Sequence, residues 1–177
     1  MDSLSKGIVK AEVALKWDPN PAGAPDHDLD VVAGTFRADD PYGSPVYLVY
    51  FGSRSPDGTI TLDRDSRDGR GLGFDEVMTL ELDRLAPEYG RVVVGVLAQP
   101  QGGPVTLGEV VGKGVRVRTG YTVLATDDLS GVAPEATAAT VCEFTRDAAG
   151  AWTFRMMVRG FEAVPGEFGR LMGGARP

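Results

Sequence analysis

The residues with the most chemistry to offer in this chain are acids grouped in two turns. Asp26, Asp28 and Asp30 alternate with His27 and Leu29, and a second run interleaves Asp63, Asp65, Asp68, Asp75 and Glu76 with Gly69, Gly71 and Gly73. Converging carboxylates can hold a hard divalent cation, which needs several oxygen ligands at one point, and glycines permit the tight bends that bare backbone carbonyls to it. Calcium is the first candidate. The plainer reading is that these acids only cap turns and solvate loops, but clustered carboxylates with no cation between them destabilise one another.

Other chemistries fit less well. An EF-hand counted from Asp26 would put Val31 at its glycine position and Arg37 at its bidentate acid, and one counted from Asp63 would end on Phe74, so that motif is excluded. His27 is the only histidine, which rules out a catalytic triad or a multi-histidine zinc site within one chain and reads as a solvent-exposed loop residue. Cys142 is the only cysteine, so neither an intramolecular disulfide nor a thiolate zinc cluster can form, in agreement with a reducing compartment. It sits in a strand-like run, Val141 to Phe144, with no base placed to activate it. The glycines at 108, 112 and 114 lack phosphate-loop spacing, and Gly114 stands where the magnesium-binding hydroxyl would be. Asp65 and Glu76 could serve a hydrolase as a carboxylate pair. Few loops are long enough to build its cleft, and Trp17 and Trp152 fit core faces better than a sugar platform.

The elements that must position these acids are strands. Val9, Ala11, Val13, Leu15 and Trp17 alternate with Lys10, Glu12, Ala14 and Lys16, the period of a strand with one buried face. Leu29 to Phe36 is β-prone, which places Asp28 and Asp30 on one face near its start. Val46 to Phe51 and Val92 to Ala98 are continuous apolar runs of the kind buried on both sides. The turn signal Pro56-Asp57-Gly58 predicts a hairpin joining Val46–Phe51 to Thr59–Leu62. Met78, Leu80 and Leu82 alternate with more polar neighbours, and a helical turn is expected at Leu85 to Tyr89. Thr119-Gly120 and Asp147 to Gly150 mark two further hairpins, and Glu162 to Met172 is the one helical candidate. About ten short strands with no long segment of helical period predict an all-β antiparallel sandwich of two sheets with short helical turns.

At 177 residues and 42% hydrophobic, the chain has enough sequence for one full core, so residues 1–177 are expected to form a single domain. The formal net charge of −7 repels phosphate backbones, and the basic residues are scattered, so no nucleic-acid partner is expected. No apolar run approaches the roughly 20 residues of a spanning helix, and the N-terminus does not read as a leader; the expectation is a cytoplasmic protein without stable membrane insertion.

Several motifs in order resemble the TerD family of bacterial tellurium-resistance and stress-response proteins. They are Leu4-Ser5-Lys6-Gly7, Trp17-Asp18-Pro19, Asp26-His27-Asp28-Leu29-Asp30, Ser55-Pro56-Asp57-Gly58, and the acidic loop through Asp65, Arg67, Gly69, Gly71, Gly73, Asp75 and Glu76. Gly150 to Phe154 and Gly160-Phe161 match the closing hairpin, so the likeness spans nearly the whole chain. It implies a calcium-binding β-sandwich that is not an enzyme. Carried onto this sequence, it implies Asp26, Asp28, Asp65, Asp75 and Glu76 as carboxylate ligands, with Ser66 and Gly69 offering backbone oxygens. The family holds two calcium ions close together and usually has an acid on each side of the last loop glycine; here those positions are Leu72 and Phe74, Ser66 replaces an asparagine, and Asp68 replaces a threonine. One or two calcium sites are therefore implied, the second weakened. The implied role is a binding module in a stress response, with other proteins as partners. The alternatives are a paralogue that has dropped calcium and kept the sandwich, and a carboxylate-dependent hydrolase.

Overall fold

The computed structural model describes residues 7–65, 68–70 and 72–176, and its regular elements are mostly strands. These are β1 (Ala11–Lys16), β2 (Leu29–Arg37), β3 (Tyr47–Val49), β4 (Ile60–Arg64), β5 (Glu76–Leu80), β6 (Tyr89–Ala98), β7 (Gly114–Thr119), β8 (Thr122–Asp127), β9 (Ala138–Arg146) and β10 (Trp152–Phe161), followed by the short helix α1 (Pro165–Leu171). They form two five-stranded antiparallel sheets, in the orders β4-β5-β1-β7-β8 and β10-β9-β6-β2-β3, which is the sandwich expected from the sequence.

Alternation explains the first sheet. Ala11, Val13 and Leu15 of β1 turn into the space between the sheets with Met78, Leu80, Val115 and Val117, and meet Val31, Ala33, Val94 and Phe144 of the second sheet. The second sheet is apolar on both faces because its outer side is covered as well. Val32, Phe36, Val93 and Leu97 form a separate outer cluster with Phe168 and Met172, which α1 and the turn after it supply. That cover explains why β6 reads as a continuous apolar run. Gly95 is the contact that lets the helix close, since a Cβ there would lie 2.6 Å from Cζ of Phe168.

A buried arginine ties the C-terminal segment down. Arg91 of β6, 1% exposed, bonds Glu143 through Nε (2.7 Å) and donates to the carbonyls of Pro41, Gly173 and Ala175 at 2.7–2.8 Å. Its guanidinium also lies 4.6 Å from the ring centre of Tyr42. Arg155 completes the cluster by bonding the other oxygen of Glu143 at 2.6 Å.

The hairpin expected between Val46–Phe51 and Thr59–Leu62 does not form. β3 pairs with β2 in one sheet and β4 with β5 in the other, so the connection crosses between sheets. Its apolar run is an edge strand with only Val49 fully buried; Leu48 and Tyr50 pack instead on the outer cluster beside α1. The helical turn lies at Leu82–Arg84, just before the expected stretch. Among the described residues, no helix is long and apolar enough to cross a membrane.

Two strand starts bring the acids together. β2 begins with Leu29 opposite Ala98 at the end of β6, and β5 begins with Glu76 opposite Leu15 near the end of β1. The first acidic turn and the end of the second therefore meet at one end of the sandwich, across the gap between the sheets.

Candidate metal centre

Asp28, Asp30 and Glu76 place one carboxylate oxygen each within 4.8 Å of one another. Glu76 is the deepest, with no exposed surface, and reaches across the gap so that Oε2 accepts the Val31 backbone N–H at 2.7 Å. Its Oε1 is buried without a donor among the described residues. Burial is the largest influence on this carboxyl, followed by hydrogen-bond contact with Asp65 and then the charge of Asp30; together they push its pKa up to about 11. A metal-free site therefore holds a proton on Glu76 at neutral pH, because ionisation there would add a buried negative charge beside others.

Asp30 is 2% exposed, and its Oδ2 accepts from the Gln99 side chain at 2.5 Å. Asp28 is half-buried at the mouth, and its carbonyl accepts the Gln99 backbone N–H at 2.9 Å. Asp75, also 2% exposed, clamps the end of β1: its N–H donates to the Leu15 carbonyl and its Oδ2 accepts from the Trp17 N–H at 2.9 Å. Its Oδ1 is buried with no donor among the described residues, and burial raises its pKa.

The remaining candidates are placed differently. Asp26 turns to Arg70, whose Nη2 lies 3.2 Å from Oδ1, and Arg70 also pairs with Asp68 at 3.6 Å. Gly69 is buried against Trp17 at φ +73°, where a Cβ would lie 2.6 Å from the indole Nε1, so this glycine lets the loop pack on β1. Ser66 lies outside the described residues. Leu72 is 92% exposed, and Phe74 leaves the cluster to stack under Arg116, 4.3 Å from guanidinium carbon to ring centre. His27, expected in solvent, is half-buried: its carbonyl accepts from the Trp17 indole and its Nδ1 is buried without a partner among the described residues. Cys142 is buried, and burial raises its thiol pKa, which suits an inert core residue.

Asp30 was not among the candidate ligands. The signal for it was present: an acid one period from Asp28, followed at once by the apolar run of β2. The donor set is all oxygen, from carboxylates, and Oε1 of Glu76 is buried with no donor among the described residues, which suits a hard cation such as calcium. Histidine and thiolate donors, which a soft or borderline metal would use, are absent from the cluster.

The family model of the TerD domain matches residues 1–166. The chain belongs to the TerD family. Two tellurium resistance proteins TerD, from Alcaligenes sp and Serratia marcescens, are each 30% identical over 166 residues, spanning 90% of this chain and 86% of the relative. Two crystal structures share its fold closely. One, of a protein of unknown function, is 56% identical with a TM-score of 0.93 over 97% of this chain and all of its own. The other, a homologue of the telluride resistance protein TerD from Streptomyces coelicolor A3(2), is 52% identical with a TM-score of 0.92 over 96% of this chain and all of its own.

Proposed function

We propose that this TerD-family chain is a calcium-binding module of a bacterial stress response related to tellurium resistance, and that it works by binding rather than catalysis. The observation that carries the reading is the buried convergence of Asp28, Asp30 and Glu76. A bound calcium ion would place a positive charge among these carboxylates, which would hold it together with Asp65. The chain's own residues then do the rest. Asp28 and Asp30 fix the first turn, Glu76 links it to the second sheet through the Val31 N–H, and Gln99 and Gln101 tie the neighbouring loop to Asp30 and to the Asp26 carbonyl. Ordering these loops presents a defined surface to a partner, which we assign to other proteins of the same response in the cytoplasm; the net charge of −7 disfavours nucleic acid.

We favour one ion over two. Arg70 already pairs with Asp26 and Asp68, and Leu72 and Phe74 offer no oxygen from their side chains. The hydrolase alternative loses support because Glu76 has no exposed surface from which to meet a substrate.

The test is a thermal melt of chelator-stripped protein against added calcium, with magnesium as control. At free calcium about 100 times the dissociation constant the expected gain is about 2.7 kcal/mol, a shift of several degrees for a domain this size. The shift disappears in Glu76→Gln and Asp30→Asn. No shift at millimolar calcium would leave a TerD sandwich that kept its fold and dropped the ion.

A further inference from the structure

A second concave site lies at the same end of the molecule, outside the carboxylate cluster. The end of β6, the loop 99–106 and the segment 162–167 enclose a cavity of about 470 Å³, within the range of small-ligand sites. Its walls are apolar, from Ala98, Pro104, Val105, Ala163, Val164 and Pro165. Three exposed glutamates, Glu135, Glu162 and Glu167, stand around it from separate segments of the chain.

Several other acids of the surface are neutralised within the chain. Glu12, Asp39 and Glu81 each pair with an arginine, whereas among the described residues none of the three around the cavity has an ion-pair or hydrogen-bond partner for its side chain. No lysine or arginine lines the cavity. Three unneutralised carboxylates around low-dielectric walls focus a negative potential into the space between them. A ligand suited to this place has an apolar stem to cover the walls and ammonium groups to meet the carboxylates, and an anionic or neutral polar ligand suits neither part.

We propose that this cavity binds an aliphatic diamine or polyamine. Its methylene stem lies along Pro104, Val105 and Val164, as the stems of lysine side chains lie on apolar surfaces, and its ammonium ends reach Glu162 and Glu167 on one side and Glu135 on the other. The bounded volume suits a small molecule rather than a length of polypeptide. The loop that forms one wall also carries Gln99 and Gln101, so the amine site and the carboxylate cluster are built on one segment.

The test titrates hexane-1,6-diamine and spermidine into the ¹⁵N-labelled full chain, with hexane-1,6-diol as the uncharged match, in chelator and again in calcium. Expected are amide shifts confined to residues 103–106 and 162–167 with both amines, and at least tenfold weaker binding of the diol. The double variant Glu162→Gln/Glu167→Gln, at exposed positions and with an unchanged melt, loses at least tenfold in amine affinity; Glu88→Gln at the opposite end loses none. Equal binding of the diol, or equal amine affinity in the double variant, overturns the proposal. So does a lysine-containing peptide that binds there when the amines do not. Because the variants are compared in chelator as well, amine binding stands or falls separately from the calcium reading: failure of calcium to shift the melt would leave a positive amine result intact.

Discussion

Arg91 and Glu76 are both fully buried ionisable residues, yet the fold completes one environment and leaves the other open. Arg91 is met by Glu143, three backbone carbonyls and aromatic faces, and Glu143 is met in turn by Arg155. Burial alone would raise the Glu143 pKa, but the hydrogen bonds and charges of Arg155 and Arg91 bring it below the ordinary value. Around Glu76 the nearest charges are other carboxylates, and its pKa moves the opposite way, up to about 11. The first cluster holds its balancing charges within the chain. Around Glu76 the described residues bring carboxylates together, which a proton or a cation from outside would balance, and that is why the second reads as a site and the first as a staple.

The largest effect should come from breaking the complete cluster. Arg91→Met leaves Glu143 half-paired in the outer layer and frees three carbonyls, and removal of one partner of a buried pair typically costs about 3–5 kcal/mol. The expected result is a large drop in the urea midpoint with the turn after α1 undocked. Glu76→Gln in chelator should do the reverse, because the amide is neutral in both states and spares the cost of taking up a proton on folding, which raises the midpoint. If Glu76→Gln in chelator were as damaging as Arg91→Met, Glu76 would be a structural keystone like Arg91, and the contrast would collapse.

The pH dependence separates the clusters next. Glu76 binds its proton more tightly folded than unfolded, so unfolding releases that proton and is favoured as pH rises. Metal-free protein should therefore lose stability from the ordinary glutamate range upward, across pH 5 to 8, and Asp75, also raised, adds to the same slope. Glu143 has the opposite sign: its lowered pKa gives stability that is full above its unfolded value and lost as pH falls through the folded one. Melts in chelator should fall with rising pH in the wild type and flatten in Glu76→Gln, and calcium should flatten the wild-type curve by replacing the proton. A wild-type curve already flat in chelator would show that Glu76 ionises freely.

Most of the architecture was legible from period and punctuation, because one-sided strands such as β1 alternate visibly and Gly120 and Gly150 mark real hairpins. The failure at β3 has a physical cause. An apolar run records only that both faces are covered, and it cannot distinguish a central strand from an edge strand whose outer face a helix shelters. The acidic turns were equally legible as a region, but the choice of ligands was not. Asp26 and Asp28 look alike in sequence, and only the position of Arg70 separates them; Arg70 follows Asp26 by 44 positions, so no local pattern could show that pairing. The Arg91 cluster was invisible for the same reason, since its partners lie 50 to 84 residues away.

The smallest effect probes how the acidic loop is held. Phe74 sits beside Asp75 but turns to the outer face of the first sheet, where Arg116 stacks on its ring and Arg116 in turn approaches Glu12 at 3.5 Å. Such a contact at a partly exposed position is worth about 0.5–1 kcal/mol. Phe74→Ala should thus lower the melt only slightly in chelator. Its effect on calcium affinity is the sharper readout, because the loop that Phe74 anchors also carries Asp65, Asp75 and Glu76. A loss of affinity larger than the loss of stability would show that the ring holds the carboxylates in place for the ion. Equal small losses in both would mean that β5 and the Asp75 clamp on β1 position the carboxylates unaided.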